Sequence, residues 1–445
     1  MSKLSPFGLV LLACVFPLSL PSAAAEPQVQ RPRAPHSLPN NFPIRNEYGA
    51  AATFSEEGFV NLADDFHTPP GANGRSCASC HAAEAGWSVT PGFVKKRFLA
   101  TGGLDPLFNK LDADNPSLDL STVAKRKKGY SMLLNGLFRR GGPVREDRDF
   151  DVVAVDDPNG VGSTTVFSFY RRPLATANLK LLSGVHWDGR FSIAGDRGPP
   201  RLGLVQQARA ATIGALEAPR DPPPSDVLVN AMVDDEVQLW HAQIAVPFIG
   251  RLDSCGGRGG PEALSLETPR IGRFDLYDNW IGFVPNRCDR RPIAAALRAQ
   301  IARGQEIFNT RQSSNGGTCL GCHNVANNGS NMNDAFFDIG VSGADTRGAR
   351  MPLYTVRKRC PAGEETCAVE EKQTTDPGRA FITGRFADIS RFKTPSMRGL
   401  ASRAPYFHNG SAATLRDVVR HYSVKRGFNL TGREEDDLVA FLGAL

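Results

Sequence analysis

Beyond its first 25 residues the chain contains no apolar run approaching the roughly 20 residues that a membrane helix requires, which excludes a further membrane span and makes a soluble mature protein the expectation. No cluster of lysine and arginine interleaved with aromatics occurs, so nucleic acid is not expected among its partners. Charge of one sign is also lacking. The net charge is only +6 over 445 residues, enough to steer an acidic protein partner and too little to define one. Strand signals are few and short, whereas glycine (44) and proline (32) are plentiful, so the expectation is a loop-rich fold of mainly α class. One local absence matters later: neither histidine nor methionine occurs between His81 and Met132.

What is present begins with an export signal. Lys3 supplies the positive start, "PFGLVLLACVFPLSL" the apolar core, and "SAAAE" small residues for cleavage after Ala25. A periplasmic location follows. "LLAC", ending at Cys14, offers lipoprotein cleavage as an alternative, against which stands the apolar core running on past Cys14.

Nine cysteines occur, four of them in "CASCH" (77–81) and "CLGCH" (319–323). The pattern C-x-x-C-H attaches c-type haem: Cys77, Cys80 and Cys319, Cys322 hold the porphyrin edges by thioether bonds, and His81 and His323 supply proximal imidazoles to iron. A redox dithiol or half of a zinc site also uses C-x-x-C. Two copies, each followed by histidine and both behind an export signal, point instead to two covalent haems. Cys255, Cys288, Cys360 and Cys367 form an even remainder, which in an exported protein suggests disulfides. The short loop "CPAGEETC" pairs Cys360 with Cys367 and leaves Cys255 with Cys288; free buried thiols are the alternative.

"EEGFVNLADDFHTPPGANGRSCASCH" and "ARGQEIFNTRQSSNGGTCLGCH" each place an apolar-patterned segment and a polar loop before the motif, the mark of two cytochrome c units in tandem. Pro292 opens a predicted helix, "PIAAALRAQIARGQEIF". The division is therefore a signal over 1–25, a flexible tail over 26–45, an N-terminal cytochrome c domain over 46–290 and a C-terminal one over 291–445. "SDVLVNAMVDDEVQLWHAQI" reads as a helix capped by Ser225.

The two motifs, together with "HWDGR" (186–190) between them and "FKTPSMRGLASRAPYFHNGSAATL" near the end, resemble the bacterial di-haem cytochrome c peroxidase and MauG superfamily. The resemblance runs from "RSCASCH" to the C-terminus. It implies two cytochrome c domains with the haems facing across the domain interface, the N-terminal haem reacting with hydrogen peroxide and the C-terminal haem relaying electrons. Trp187 matches the tryptophan that mediates exchange between them; read alone, it is a large core anchor. Gln207 and Glu217 match the spacing of a glutamine and a glutamate lining the peroxide pocket, where Glu217 would shuttle the proton. "IAGDRGPPRLG" lengthens the segment before them, and an exposed Glu217 is the plain alternative. His408 matches a structural residue near the second haem. The resemblance also implies a calcium ion between the haems, held partly by the carbonyls of Arg403 and Pro405, although Arg403 replaces the usual threonine and the asparagine ligand has no counterpart.

Two departures from the family carry information. The second histidine ligand of its bis-His peroxidases stands sixteen residues past the first motif's histidine; here that residue is Arg97, which has no lone pair to offer iron. With no His or Met up to Met132, the first iron is expected to keep an open position, and Arg97 itself reads as a solvated residue. In the peroxidases a methionine follows the "PYFH" histidine by fourteen residues and ligates the second iron; here it is Tyr422, as it is tyrosine in MauG. "TLRDVVRHY" has Thr414 as N-cap with Asp417 three residues on, and Leu415, Val418, Val419 and Tyr422 at i, i+3, i+4 and i+7 on one face. His421 is rotated about 100° from that face. A core tyrosine bonded elsewhere is the alternative to a ligand. Thioether sulfur favours ferrous iron and raises the potential, whereas a phenolate is a hard anion that favours higher oxidation states.

The expected function is an exported di-haem peroxidase that reduces hydrogen peroxide with electrons from a small redox protein. The alternatives are a MauG-like enzyme oxidising side chains of a partner protein, and a non-enzymatic di-haem electron carrier.

Overall fold

A computed structural model describes residues 37–193, 199–333, 335–360 and 368–445; the expected signal over 1–25, Cys14 and Cys367 lie outside the described residues. Among the described residues the longer helices are α1 (Pro91–Thr101), α2 (Arg201–Gly214), α3 (Asp226–Val237), α4 (Pro292–Thr310), α5 (Leu415–Lys425) and α6 (Gly432–Gly443). Helix accounts for only 32% of the described residues, among which thirteen short strands form five small sheets. The mainly α expectation is thus not met in full.

Two sheets show why. In one, β1 (Gly49–Ser55) pairs antiparallel with β2 (Leu239–Val246), Thr53 opposite His241 and Phe54 opposite Trp240. The segment expected to be a single helix from Ser225 divides here: Ser225 caps α3, its hydroxyl accepting from Leu228 N at 3.2 Å, but the helix stops at Val237 and "LWHAQIAV" becomes a strand. Six successive residues of that strand, Leu239–Ile244, are buried on both faces, so the two-residue alternation that marks a strand is missing. In the other sheet, strand Phe150–Asp156 pairs with Leu353–Lys358, joining segments from either side of residue 290.

Ser37–Pro39 and Ile44–Asn46, inside the expected flexible tail, are also strands. Asn40 fixes this segment: its side chain donates to Ser55 O and accepts from Ser55 N, both at 2.8 Å. The largest core gathers Phe308 of α4, Leu415 and Val419 of α5 and Phe441 of α6, and it draws in Phe274, Tyr277 and Trp280 from before residue 290. The disulfide Cys255–Cys288 ties that same stretch together, and Cys360 is also disulfide-bonded.

Candidate haem-binding site

Both C-x-x-C-H segments fold into one tight turn. His81 N donates to Cys77 O and His323 N to Cys319 O, each at 3.0 Å, which sets the two cysteines and the histidine around one turn of backbone. Each imidazole is then oriented by the same device. His81 Nδ1 lies 3.1 Å from Trp87 O and His323 Nδ1 lies 2.6 Å from Gly329 O, in both cases a carbonyl six residues further on. A carbonyl only accepts, so Nδ1 carries the proton and Nε2 the lone pair that a metal needs. Burial pushes both histidines down to about 4, against the carbonyls that favour the charged form, so both rings are neutral at physiological pH.

The cysteines are not poised for thiol chemistry. Burial pushes Cys80 up to about 11 and Cys319 up to about 12, the opposite of an activated thiolate. Among the described residues no group of three His, Cys, Asp or Glu side chains is arranged to hold a metal ion. Thiols for thioether bonds beside a neutral imidazole with a free Nε2 fit a covalently attached haem.

A cavity of about 410 Å³ opens on the second motif, lined by Cys319, Cys322 and His323 and mostly apolar otherwise. Helix α5 forms one wall. Thr414 and Asp417 make the expected capping box, Thr414 Oγ1 accepting from Asp417 N at 3.1 Å and Asp417 Oδ2 accepting from Thr414 N at 2.9 Å. That start fixes the phase of the helix, and Leu415, Val418, Val419 and Tyr422 all line the cavity. His421 turns away and bonds to Ile339 O at 2.8 Å. The Tyr422 hydroxyl has no hydrogen-bond partner among the described residues, and burial pushes its pKa well above the usual phenol value.

Trp187 and His408 line the same cavity, their rings edge to face at 6.2 Å. The indole Nε1 donates to Arg172 O at 2.8 Å. His408 stacks on Phe392 at 3.9 Å, with Nε2 3.4 Å from Ser342 Oγ. The remaining candidates lie elsewhere. Arg97 is tied to Asp105 at 2.9 Å and covers the Phe93 ring. Gln207, on α2, is half-buried, and neither it nor Glu217 lines this cavity. Glu217 is exposed, at a positive φ of 53°, and accepts from Asn109 Nδ2 at 3.2 Å. Its loop packs on the turn leading into the first motif: a Cβ on Gly71 would sit 2.0 Å from Leu216 O, and Asn73 Nδ2 donates to Ala215 O at 3.0 Å.

Sequence reasoning missed Arg172. Its guanidinium donates to Arg403 O at 2.5 Å and to Pro405 O, the two carbonyls expected to hold calcium. Those carbonyls are engaged, and the calcium does not fit. The only sequence signal was "RR" at 171–172, which straddles the end of strand Val166–Arg171, where alternation sends the two side chains to opposite faces.

Paired C-x-x-C-H turns with matched imidazoles have the chemistry that covalent attachment of c-type haem needs. No family model matches the chain. Cytochrome-c peroxidase IdrP1 of Denitromonas iodatirespirans is 30% identical over 165 residues, 34% of this chain and 41% of that protein. Methylamine utilization protein MauG of Methylophilus methylotrophus is 29% identical over 193 residues, 41% of this chain and 44% of that protein. The chain therefore matches less than half the length of these curated relatives. A solved MauG-like protein associated with microbial copper homeostasis covers 93% of this chain and 94% of its own at 17% identity, with a TM-score of 0.40. Over these stretches the chain is similar to bacterial di-haem cytochrome c peroxidases and MauG.

Proposed function

We propose that the protein is an exported di-haem oxidoreductase that consumes hydrogen peroxide, with one haem on Cys77, Cys80 and His81 and a second on Cys319, Cys322 and His323. The observation that carries this reading is the matched pair of imidazoles, each with Nδ1–H on a carbonyl and Nε2 left for iron. Bound haem supplies the iron that cleaves peroxide and holds oxidising equivalents. The chain's own residues do the rest. His81 and His323 would hold the irons through Nε2. No His or Met between His81 and Met132 offers the first iron a second ligand, and Arg97 is held by Asp105. That openness separates an enzyme from a passive electron carrier. Glu217 takes the proton from the near oxygen of peroxide and returns it to the leaving one, assisted by Gln207. Trp187, fixed through its indole N–H, couples the two sites. Electrons come from a small redox protein.

A MauG-like reaction on side chains of a partner protein is the second reading. One observation favours it: Tyr422 faces the cavity of the second motif with its hydroxyl unpartnered among the described residues, where a phenolate would suit iron in higher oxidation states. A peroxide titration of the fully oxidised protein, followed by optical and EPR spectra with and without a reduced small cytochrome, tests the proposal. Stoichiometric peroxide consumption with spectral change supports it, and faster return to the resting spectrum with the cytochrome favours the peroxidase. Inertness to peroxide would leave an electron carrier.

A further inference from the structure

Arg171 and Arg172 are consecutive, both buried, and served by opposite kinds of partner. Arg171 bridges two carboxylates, Asp376 at 2.6 and 2.8 Å and Asp188 at 2.5 Å. Arg172 is 5% exposed and no carboxylate pairs with it among the described residues; its guanidinium meets backbone carbonyls instead. Nη1 donates to Arg403 O at 2.5 Å and to Pro405 O, and Nη2 donates to Val89 O. The backbone of the same residue continues the junction: Arg172 N donates to His408 O at 2.7 Å, and Arg172 O accepts from Trp187 Nε1 at 2.8 Å. One residue thus joins the segment just after the first motif, the tryptophan of "HWDGR", and the loop 403–408 that lines the second motif's cavity.

We propose that the Arg172 guanidinium is this chain's built-in cation, standing where the family resemblance calls for calcium, so that the junction between the two motif regions is held without a metal ion. The inference is independent of the peroxide reading. A planar guanidinium with donors on two sides gathers converging carbonyls as a hard cation would, with a fixed geometry and no dissociation. Calcium requires six to eight oxygens and normally carboxylates among them. Here the two carbonyls that would contribute, Arg403 O and Pro405 O, already accept from the guanidinium. Electrostatics agree. Arg403 is half-buried, its Nη2 on Arg398 O at 2.7 Å, and burial together with the Arg403 charge holds Arg172 down to about 10. A divalent ion would add two charges to a pair of cations that already repel.

The test uses the holoprotein made in a host that matures c-type cytochromes. It is dialysed exhaustively against a calcium chelator, analysed for bound calcium, and followed by haem optical spectrum and thermal melting, then again after calcium is added back. The proposal expects no calcium above the buffer blank and superimposable spectra and melts in all three states. One calcium per chain, or a chelator-induced fall in Tm or spectral change that calcium reverses, overturns it. Arg172→Lys and Arg172→Ala supply the second arm. Lys keeps the charge but loses the fork, so its Tm should fall between those of wild type and Arg172→Ala. An Arg172→Ala protein that melts with the wild type, calcium-free, would show that no cation is needed there and would also overturn the proposal. Should that variant fail to fold, the wild-type chelation result decides alone.

Discussion

The two C-x-x-C-H regions are alike on one side and different on the other. Each histidine is oriented by a carbonyl six residues on, at 3.1 Å for His81 and 2.6 Å for His323. Opposite that shared device, the second region presents Tyr422 from a capped amphipathic helix, whereas the first offers no His or Met between His81 and Met132 and has Arg97 locked to Asp105. On the proposed function, these unlike surroundings would divide two tasks, binding an external oxidant at the first centre and tuning the potential of the second. The difference lies in what the chain withholds at the first site as much as in what it supplies at the second.

The comparison breaks most completely at the cysteines. Mass spectrometry of the mature protein should show two covalent haems, and Cys77→Ser/Cys80→Ser and Cys319→Ser/Cys322→Ser should each lose one while retaining the other. A wild-type protein carrying a single haem would end the account of paired sites. Next in size is the proton shuttle assigned to the first site. Glu217→Gln should slow the reaction with peroxide by roughly 10²–10⁴-fold, the range for losing a positioned acid–base group, with both haem spectra intact. Glu217 is exposed and hydrogen-bonded to Asn109, so an unchanged rate would make it a loop residue and move the proton transfer to another group. Trp187→Phe removes the indole N–H on Arg172 O; flash-initiated electron exchange between the two haems should slow while each haem's own spectrum stays put. The smallest effect is structural. Thr414→Ala removes the cap that sets the phase of α5 and should cost about 1 kcal/mol in denaturant unfolding.

The candidate site was legible where chemistry is local. C-x-x-C-H needs only five consecutive residues, and the capping box with apolar spacing in "TLRDVVRHY" already told which face carries Tyr422. Helix α4 followed from Pro292 in the same way. What stayed hidden depends on partners distant in sequence. Leu239–Ile244 are buried on both faces of their sheet, Trp240 and Ala242 packing with Leu181, Leu264 and Val325, and so lack alternation. The strands at Ser37–Pro39 and Ile44–Asn46 are fixed by contacts to residues 49–61 that composition does not reveal. Arg172 binds carbonyls, which every residue has, more than 200 positions away, and no side-chain pattern records that.

The claim on which the rest turns is that Tyr422 sets the second haem apart from the first. A spectroelectrochemical redox titration of wild type beside Tyr422→Met tests it most directly, because thioether stabilises ferrous iron relative to an anionic oxygen. The account predicts that the potential of the haem on Cys319, Cys322 and His323 rises in the variant while that of the haem on Cys77, Cys80 and His81 keeps its wild-type value. Two unmoved potentials would make Tyr422 a cavity-wall residue and contradict the account.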